Sequence, residues 1–272
     1  MPERPFENHV VWITGASAGL GRGMAVEFAR LGARVAVSAR RADALAETVR
    51  EIERVGGTGI AIPCDVTDET TLESAVARIV ETWGRLDVAV ANAGFGVVGP
   101  VEKLRAEDWR RQYEVNVIGL TQTARVAIPH LKAARGRLAL VSSAAGWVPA
   151  PGTAPYGSSK AAVRAIGQTL GLELHGSGVS CTTIYPGFVE SDIGRVDNRN
   201  VVNPHAKDRR PAALMWPTER AARVMVRAIR RRRRHFVFTG HGHLGAFLGM
   251  HFPGLVHRIL TSRLLPQSLS ER

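Results

Sequence analysis

The chain has 272 residues, enough for one large hydrophobic core. Its 45% hydrophobic and 22% charged residues exclude a largely disordered chain, and only two cysteines, Cys64 and Cys181, exclude a disulfide framework. The formal charge is +12, but the basic residues are nearly all arginines scattered along the chain, which fits a compositional habit better than a nucleic-acid partner.

The apolar stretch that begins at Val10 is too short for a secretory leader, and no apolar run reaches membrane-spanning length. The expected home is therefore the cytoplasm. Short β-branched runs predict strands over 10–14, 34–38, 59–64, 88–91, 137–142 and 179–185. Helical spacing fills the gaps at 22–31, 42–55, 70–83, 106–134 and 158–175. Strict alternation of the two implies βαβ units. The expected fold is α/β, a doubly wound parallel β-sheet with helices on both faces, forming a single domain over 1–240. Several strands are apolar throughout, as when both faces are covered. Residues 190–216 lose periodicity and read as a flap. Thr218 then reads as the N-cap of a helix that buries Ala221, Ala222, Met225 and Ile229, and 235–239 as a last strand. Residues 241–272 form an apolar and basic extension.

Three constellations carry chemistry. The first is Thr14-Gly15-Ala16-Ser17-Ala18-Gly19-Leu20-Gly21, which follows a strand and opens a helix. Its glycines permit a tight turn that lets backbone approach a pyrophosphate at the helix N-terminus. The second lies at the end of the next strand. A carboxylate there would bind ribose hydroxyls of NAD(H), but the sequence offers Ala39 followed by Arg40 and Arg41. Forked guanidinium donors suit a 2′-phosphate, so NADP(H) is preferred over NAD(H). The third is Ser143, Tyr156 and Lys160. Tyr156 and Lys160 are four apart and share one helix face. An adjacent ammonium is expected to lower the phenol's pKa, and a hydroxyl at a strand's C-terminal end faces the crevice where ligands bind.

Together these motifs resemble the short-chain dehydrogenase/reductase family, a Rossmann-type fold, over roughly residues 8–240. The resemblance rests on the glycine turn, Cys64-Asp65-Val66, Asn92-Ala93-Gly94, Asn116, Ser143, Tyr156-x-x-x-Lys160 and Pro186-Gly187 in family order. It implies that Tyr156 is the general acid or base, that Lys160 holds the nicotinamide ribose, and that Ser143 positions the substrate oxygen. Asn116 would orient a relay water. Gly15, Ser17, Gly19, Leu20 and Gly21 would cradle the cofactor phosphates. Asp65 and Val66 would meet the adenine, and Asn92, Ala93 and Gly94 the cofactor's middle. Pro186, Gly187, Val189 and Ser191 would flank the nicotinamide. The substrate would be a small carbonyl or alcohol, taken up by residues 145–154 and the flap. A homodimer or homotetramer through helices 106–134 and 158–175 is expected by resemblance.

Two positions depart from the family pattern. NADP-preferring members often carry a basic residue just before the middle glycine, where this chain has Ala18, and Ser191 stands where threonine is common. The extension offers Leu244, Phe247, Leu248, Phe252, Leu255, Ile259 and Leu260 to cover the pocket or a subunit interface. The alternative is that, with the block Arg230–Arg234 beside it, the extension rests on an anionic membrane and the enzyme acts on a lipid- or steroid-like substrate. A non-catalytic cofactor-binding sensor is a further alternative, though such a chain would be expected to lose its tyrosine, lysine or serine. No metal site is expected from His241, His243 and His251, which lack a carboxylate or cysteine cluster.

Overall fold

The computed structural model describes residues 4–262 except 204, 206, 207 and 209, so 263–272 of the expected extension lie outside the described residues. Seven parallel strands form one sheet in the order β3-β2-β1-β4-β5-β6-β7. They are β1 (Val10–Thr14), β2 (Arg34–Ala39), β3 (Thr58–Pro63), β4 (Val88–Ala91), β5 (Arg137–Val141), β6 (Ser180–Tyr185) and β7 (His235–Val237). Strand order reverses between β1 and β4, which opens a crevice at their C-terminal ends.

Strand periodicity sorts the core into two layers. Val11 and Ile13 of β1 face α1 (Gly19–Arg30), α2 (Ala42–Arg54) and α7 (Thr218–Arg230), burying Phe28, Leu45 and Met225. Val10 and Trp12 face α3 (Glu69–Trp83), α5 (Leu120–Ala134) and α6 (Ala154–Glu173), burying Leu72, Leu131 and Val163. Both cysteines are buried and free.

The structure corrects the sequence expectations at several points. The helix expected over 106–134 is α4 (Ala106–Tyr113), a π turn (Glu114–Gly119) and α5. The wider turn lets Gly119 press against Val66, whose Cγ2 would lie 2.7 Å from an added Cβ. α6 starts at Ala154, not 158, because Pro155 suits a first turn, and Tyr156 therefore sits in that turn. Thr218 is not an N-cap; Pro217 holds that place, and the Thr218 hydroxyl donates to the Glu190 carbonyl. The last strand stops at Val237. Thr239, at φ 78°, then turns the chain into α8 (Gly240–His251), which α9 (Pro253–Thr261) follows.

Nor does the arginine block lie beside the extension. Arg232 donates to the carbonyls of Arg135, Gly136 and Gly178, where β5 and β6 begin. α8 starts at the other end of β7 and packs on the turn after β5. Of the apolar residues expected to cover a pocket or interface, Leu244, Phe247, Phe252, Leu255 and Ile259 are 47–60% exposed in the single chain. No helix among the described residues is long and apolar enough to cross a membrane.

Candidate active site

The C-terminal ends of β1, β2, β4, β5 and β6 surround one open cleft of about 970 Å³. It is lined by the glycine turn (Gly15, Ser17, Gly19, Leu20, Gly21), Arg40, Arg41, Asp65, Val66, Asn92, Ala93 and Gly94. Ser143, Tyr156, Lys160, Pro186, Gly187, Val189 and Ser191 complete the wall. Every sequence-derived candidate is there except Asn116.

The glycine turn shows why its residues are small. Gly15 has φ 67°, and an added Cβ would lie 2.6 Å from the Ala93 Cα. Asn92 ties the two loops together by donating from Nδ2 to the carbonyls of Thr14 and Gly15, at 2.9 and 3.2 Å. α1 then begins with no side-chain cap and no acidic residue in its first turn. Its first backbone N–H groups line the cleft without intrahelical acceptors, a suitable place for an anion. Arg41 reaches back to donate to Ser17 Oγ at 3.2 Å. Among the described residues neither Arg40 nor Arg41 has a carboxylate within ion-pairing distance.

At the other end of the cleft, the Lys160 Nζ lies 5.8 Å from the Tyr156 ring centroid and donates to the Val141 carbonyl at 3.0 Å. Lys160 is only 4% exposed, and burial pulls its pKa down to about 8. The Tyr156 phenol is pushed upward, contrary to the lowering expected from its lysine neighbour. Burial dominates there, and the Ser143 hydroxyl and the Arg210 charge only partly offset it. Ser143 Oγ caps the turn after β5 by accepting from Ala145 N–H at 3.1 Å.

Asn116 stands behind the cleft, fully buried in the π turn. Its Oδ1 accepts from Phe95 N–H at 3.0 Å, while Nδ2 donates to the Phe95 carbonyl and to Ser159 Oγ. Buried Gln112 holds Phe95 and Val97 in the same way. The loop after β4 is thus fixed by two amides, only one of which the motif reading found.

The turn after β6 is fixed from three sides. Trp216 donates to the Phe188 carbonyl and accepts from Glu190 N–H, and Arg210 donates to the Val189 and Ser191 carbonyls at 2.9 and 2.8 Å. His241 stacks on Phe188, and its Nε2 accepts from Phe188 N–H at 3.0 Å, which makes Nε2 the unprotonated nitrogen. These bonds leave the Val189 N–H, in a residue only 3% exposed, with no acceptor among the described residues. An orphaned buried donor near Pro186, together with the uncapped α1 N-terminus, fits a cofactor with a pyrophosphate in its middle and a carboxamide at one end.

Sequence reasoning missed Arg210, Ile193, Val196 and Arg199, all of which line the cleft from the flap. No periodicity marks that segment, so no signal announced them.

The family model described as short chain dehydrogenase matches residues 9–201. The chain belongs to the short-chain dehydrogenase/reductase family. It is an oxidoreductase of that family, which uses a nicotinamide dinucleotide and acts on small molecules. This chain is 34% identical over 192 residues to hydroxynaphthalene reductase arp2 of Aspergillus fumigatus, covering 70% of each chain. It is 32% identical over 233 residues to 11-beta-hydroxysteroid dehydrogenase A of Sesamum indicum, covering 83% of this chain and 67% of that one. A solved short-chain dehydrogenase/reductase from Burkholderia phymatum, in complex with NAD, shares the fold at TM-score 0.82 and 24% identity, over 96% of this chain and 98% of the other.

Proposed function

We propose that this reductase transfers hydride between NADP(H) and a ketone, aldehyde or alcohol carbon, with Tyr156 as general acid and base. The observation that carries the reading is the convergence of Tyr156, Lys160 and Ser143 on the cleft that also holds the glycine turn. Bound NADPH supplies hydride to the carbonyl carbon. Ser143 holds the substrate oxygen by its hydroxyl, and Tyr156 Oη delivers the proton that this oxygen takes up. The raised phenol pKa keeps that proton in place at neutral pH, the state that reduction requires. Lys160 holds the cofactor ribose and keeps a positive charge beside the phenol. Asn116 and Gln112 keep the loop over the site in place, and Val189 N–H meets the carboxamide.

Preference for NADP(H) rests on Arg40 and Arg41 at the end of β2. Both lie free of carboxylates, and Arg41 is drawn to Ser17. Charge-assisted bonds of this kind contribute about 1.5–3 kcal/mol each, so removing one shifts binding roughly tenfold or more. Arg40→Ala and Arg41→Ala are each expected to weaken NADPH about tenfold and to leave NADH nearly unchanged in cofactor titrations. Equal losses for both cofactors would sink the preference.

A second reading concerns where the enzyme works. Leu244, Phe247 and Met250 on α8, Leu255 and Ile259 on α9, and Phe252 between them stand exposed, and no acidic residue occurs from 240 to 262. α8 lies at the same sheet edge as Tyr156, so an anionic membrane touching this face would deliver lipid-like substrates close to the cleft. The basic block at the opposite edge takes no part. Sedimentation with anionic phospholipid vesicles at low salt is expected to carry the protein down, and Phe247→Ser to reduce that. A protein left in the supernatant would remove the reading.

A further inference from the structure

The flap carries a short hairpin that spans the cleft. Val196 and Val202 pair as an antiparallel bridge. Between them Asp197 Oδ1 accepts from the N–H groups of Arg199 and Val201, and Asn200 takes a left-handed φ of 64°. Each rim of the cleft holds the hairpin by a different residue. On the β4 side, Asn198 makes a two-way clasp with Val98: its Oδ1 accepts from Val98 N–H and its Nδ2 donates to the Val98 carbonyl, both at 2.9 Å. On the β2 side, Arg40 Nη2 donates to the Asn200 carbonyl at 3.3 Å. Only one residue separates the two anchors, and that residue is Arg199.

Arg199 lines the cleft, its Cα about 3.8 Å along the chain from that of Asn200, which Arg40 touches. Its side chain is exposed and makes no ion pair with any described residue. The nearest carboxylate in sequence, Asp197, turns an oxygen to the hairpin backbone instead. Arg40, Arg41 and Arg199 thus all line the cleft, and among the described residues none of the three makes an ion pair. Such a cluster repels itself unless an anion fills it, and a phosphate monoester matches forked donors arriving from several directions.

We propose that Arg199, carried across the cleft on this hairpin, pairs with the 2′-phosphate of NADP(H) together with Arg40 and Arg41. It replaces, from the opposite wall, the basic residue that the glycine turn lacks at Ala18. The inference rests on the NADP(H) reading above. It adds a residue of the flap to cofactor selection. Asn198 is then a positioning residue, because its clasp on Val98 sets where Arg199 stands.

The test is equilibrium titration of the full chain with NADPH and with NADH, followed by nicotinamide fluorescence, for the wild type and for Arg40→Ala, Arg199→Ala and Asn198→Ala. Arg199 is exposed, so its truncation leaves the core untouched. Arg199→Ala is expected to weaken NADPH about tenfold with NADH within twofold of wild type, and Asn198→Ala to show a smaller loss of the same kind. If Arg40→Ala loses the preference while Arg199→Ala keeps it, or if Arg199→Ala weakens both cofactors equally, this inference falls and the NADP(H) reading stands. A wild type that binds both cofactors alike overturns the NADP(H) reading itself.

Discussion

Tyr156→Phe is expected to lower kcat by roughly 10³-fold, the scale of a lost general acid, while cofactor affinity stays within about twofold of wild type. The substitution removes one oxygen and keeps the ring, whose packing in the first turn of α6 beside Lys160 is unchanged. The phenol is the group placed beside Ser143 in the cleft, and a phenyl ring has no proton to give in its place. Steady-state rates and nicotinamide titration on the same preparation separate the two effects. Turnover at the wild-type rate would remove Tyr156 from the mechanism.

Lys160→Met is expected to abolish activity and yet to stabilise the fold. Burial lowers the Lys160 pKa from 10.5 to about 8, a cost of about 3 kcal/mol for keeping the ammonium charged inside the protein. Losing the charge-assisted bond to the Val141 carbonyl takes back about 1.5–3 kcal/mol. The net gain of up to about 1.5 kcal/mol corresponds to a rise in Tm of up to about 3 °C near neutral pH. Because the shift is downward, the cost of the ammonium is present in full below pH about 8. It fades as pH rises from about 8 toward 10.5, where the unfolded chain also gives up the proton. The Tm advantage of the variant therefore shrinks over that window, as thermal scans at pH 7 and pH 10 will read. In the wild type, turnover declines above pH about 8 as the ammonium is lost. A Lys160→Met protein that melts lower at pH 7 would contradict this account.

Much of the fold was legible because parallel strands covered on both faces leave unbroken apolar runs. Residues 10–14 and 88–91 appear as strands with those bounds. The glycine turn and the Tyr156–Lys160 spacing were legible for a similar reason, since local backbone geometry constrains them. What escaped the sequence depends on contacts between distant segments. The π turn brings Gly119 against Val66, and no local pattern records that meeting. The flap follows no period because isolated contacts fix it: the side chains of Asn198 on Val98 and of Arg210 on Val189 and Ser191, and the Trp216 backbone on Phe188. The upward shift at Tyr156 escaped for a different reason. Spacing shows which charges are near, while burial depends on the whole packed fold.

The most direct test of the central claim is a panel of ketones, aldehydes and alcohols assayed with NADPH or NADP⁺ and, side by side, with NADH or NAD⁺, for wild type and Tyr156→Phe. The account predicts turnover of at least one carbonyl or alcohol by the wild type, faster with the phosphorylated cofactor, and none above background by the variant. Cofactor binding with no turnover anywhere in the panel, or turnover that survives in Tyr156→Phe, would contradict it.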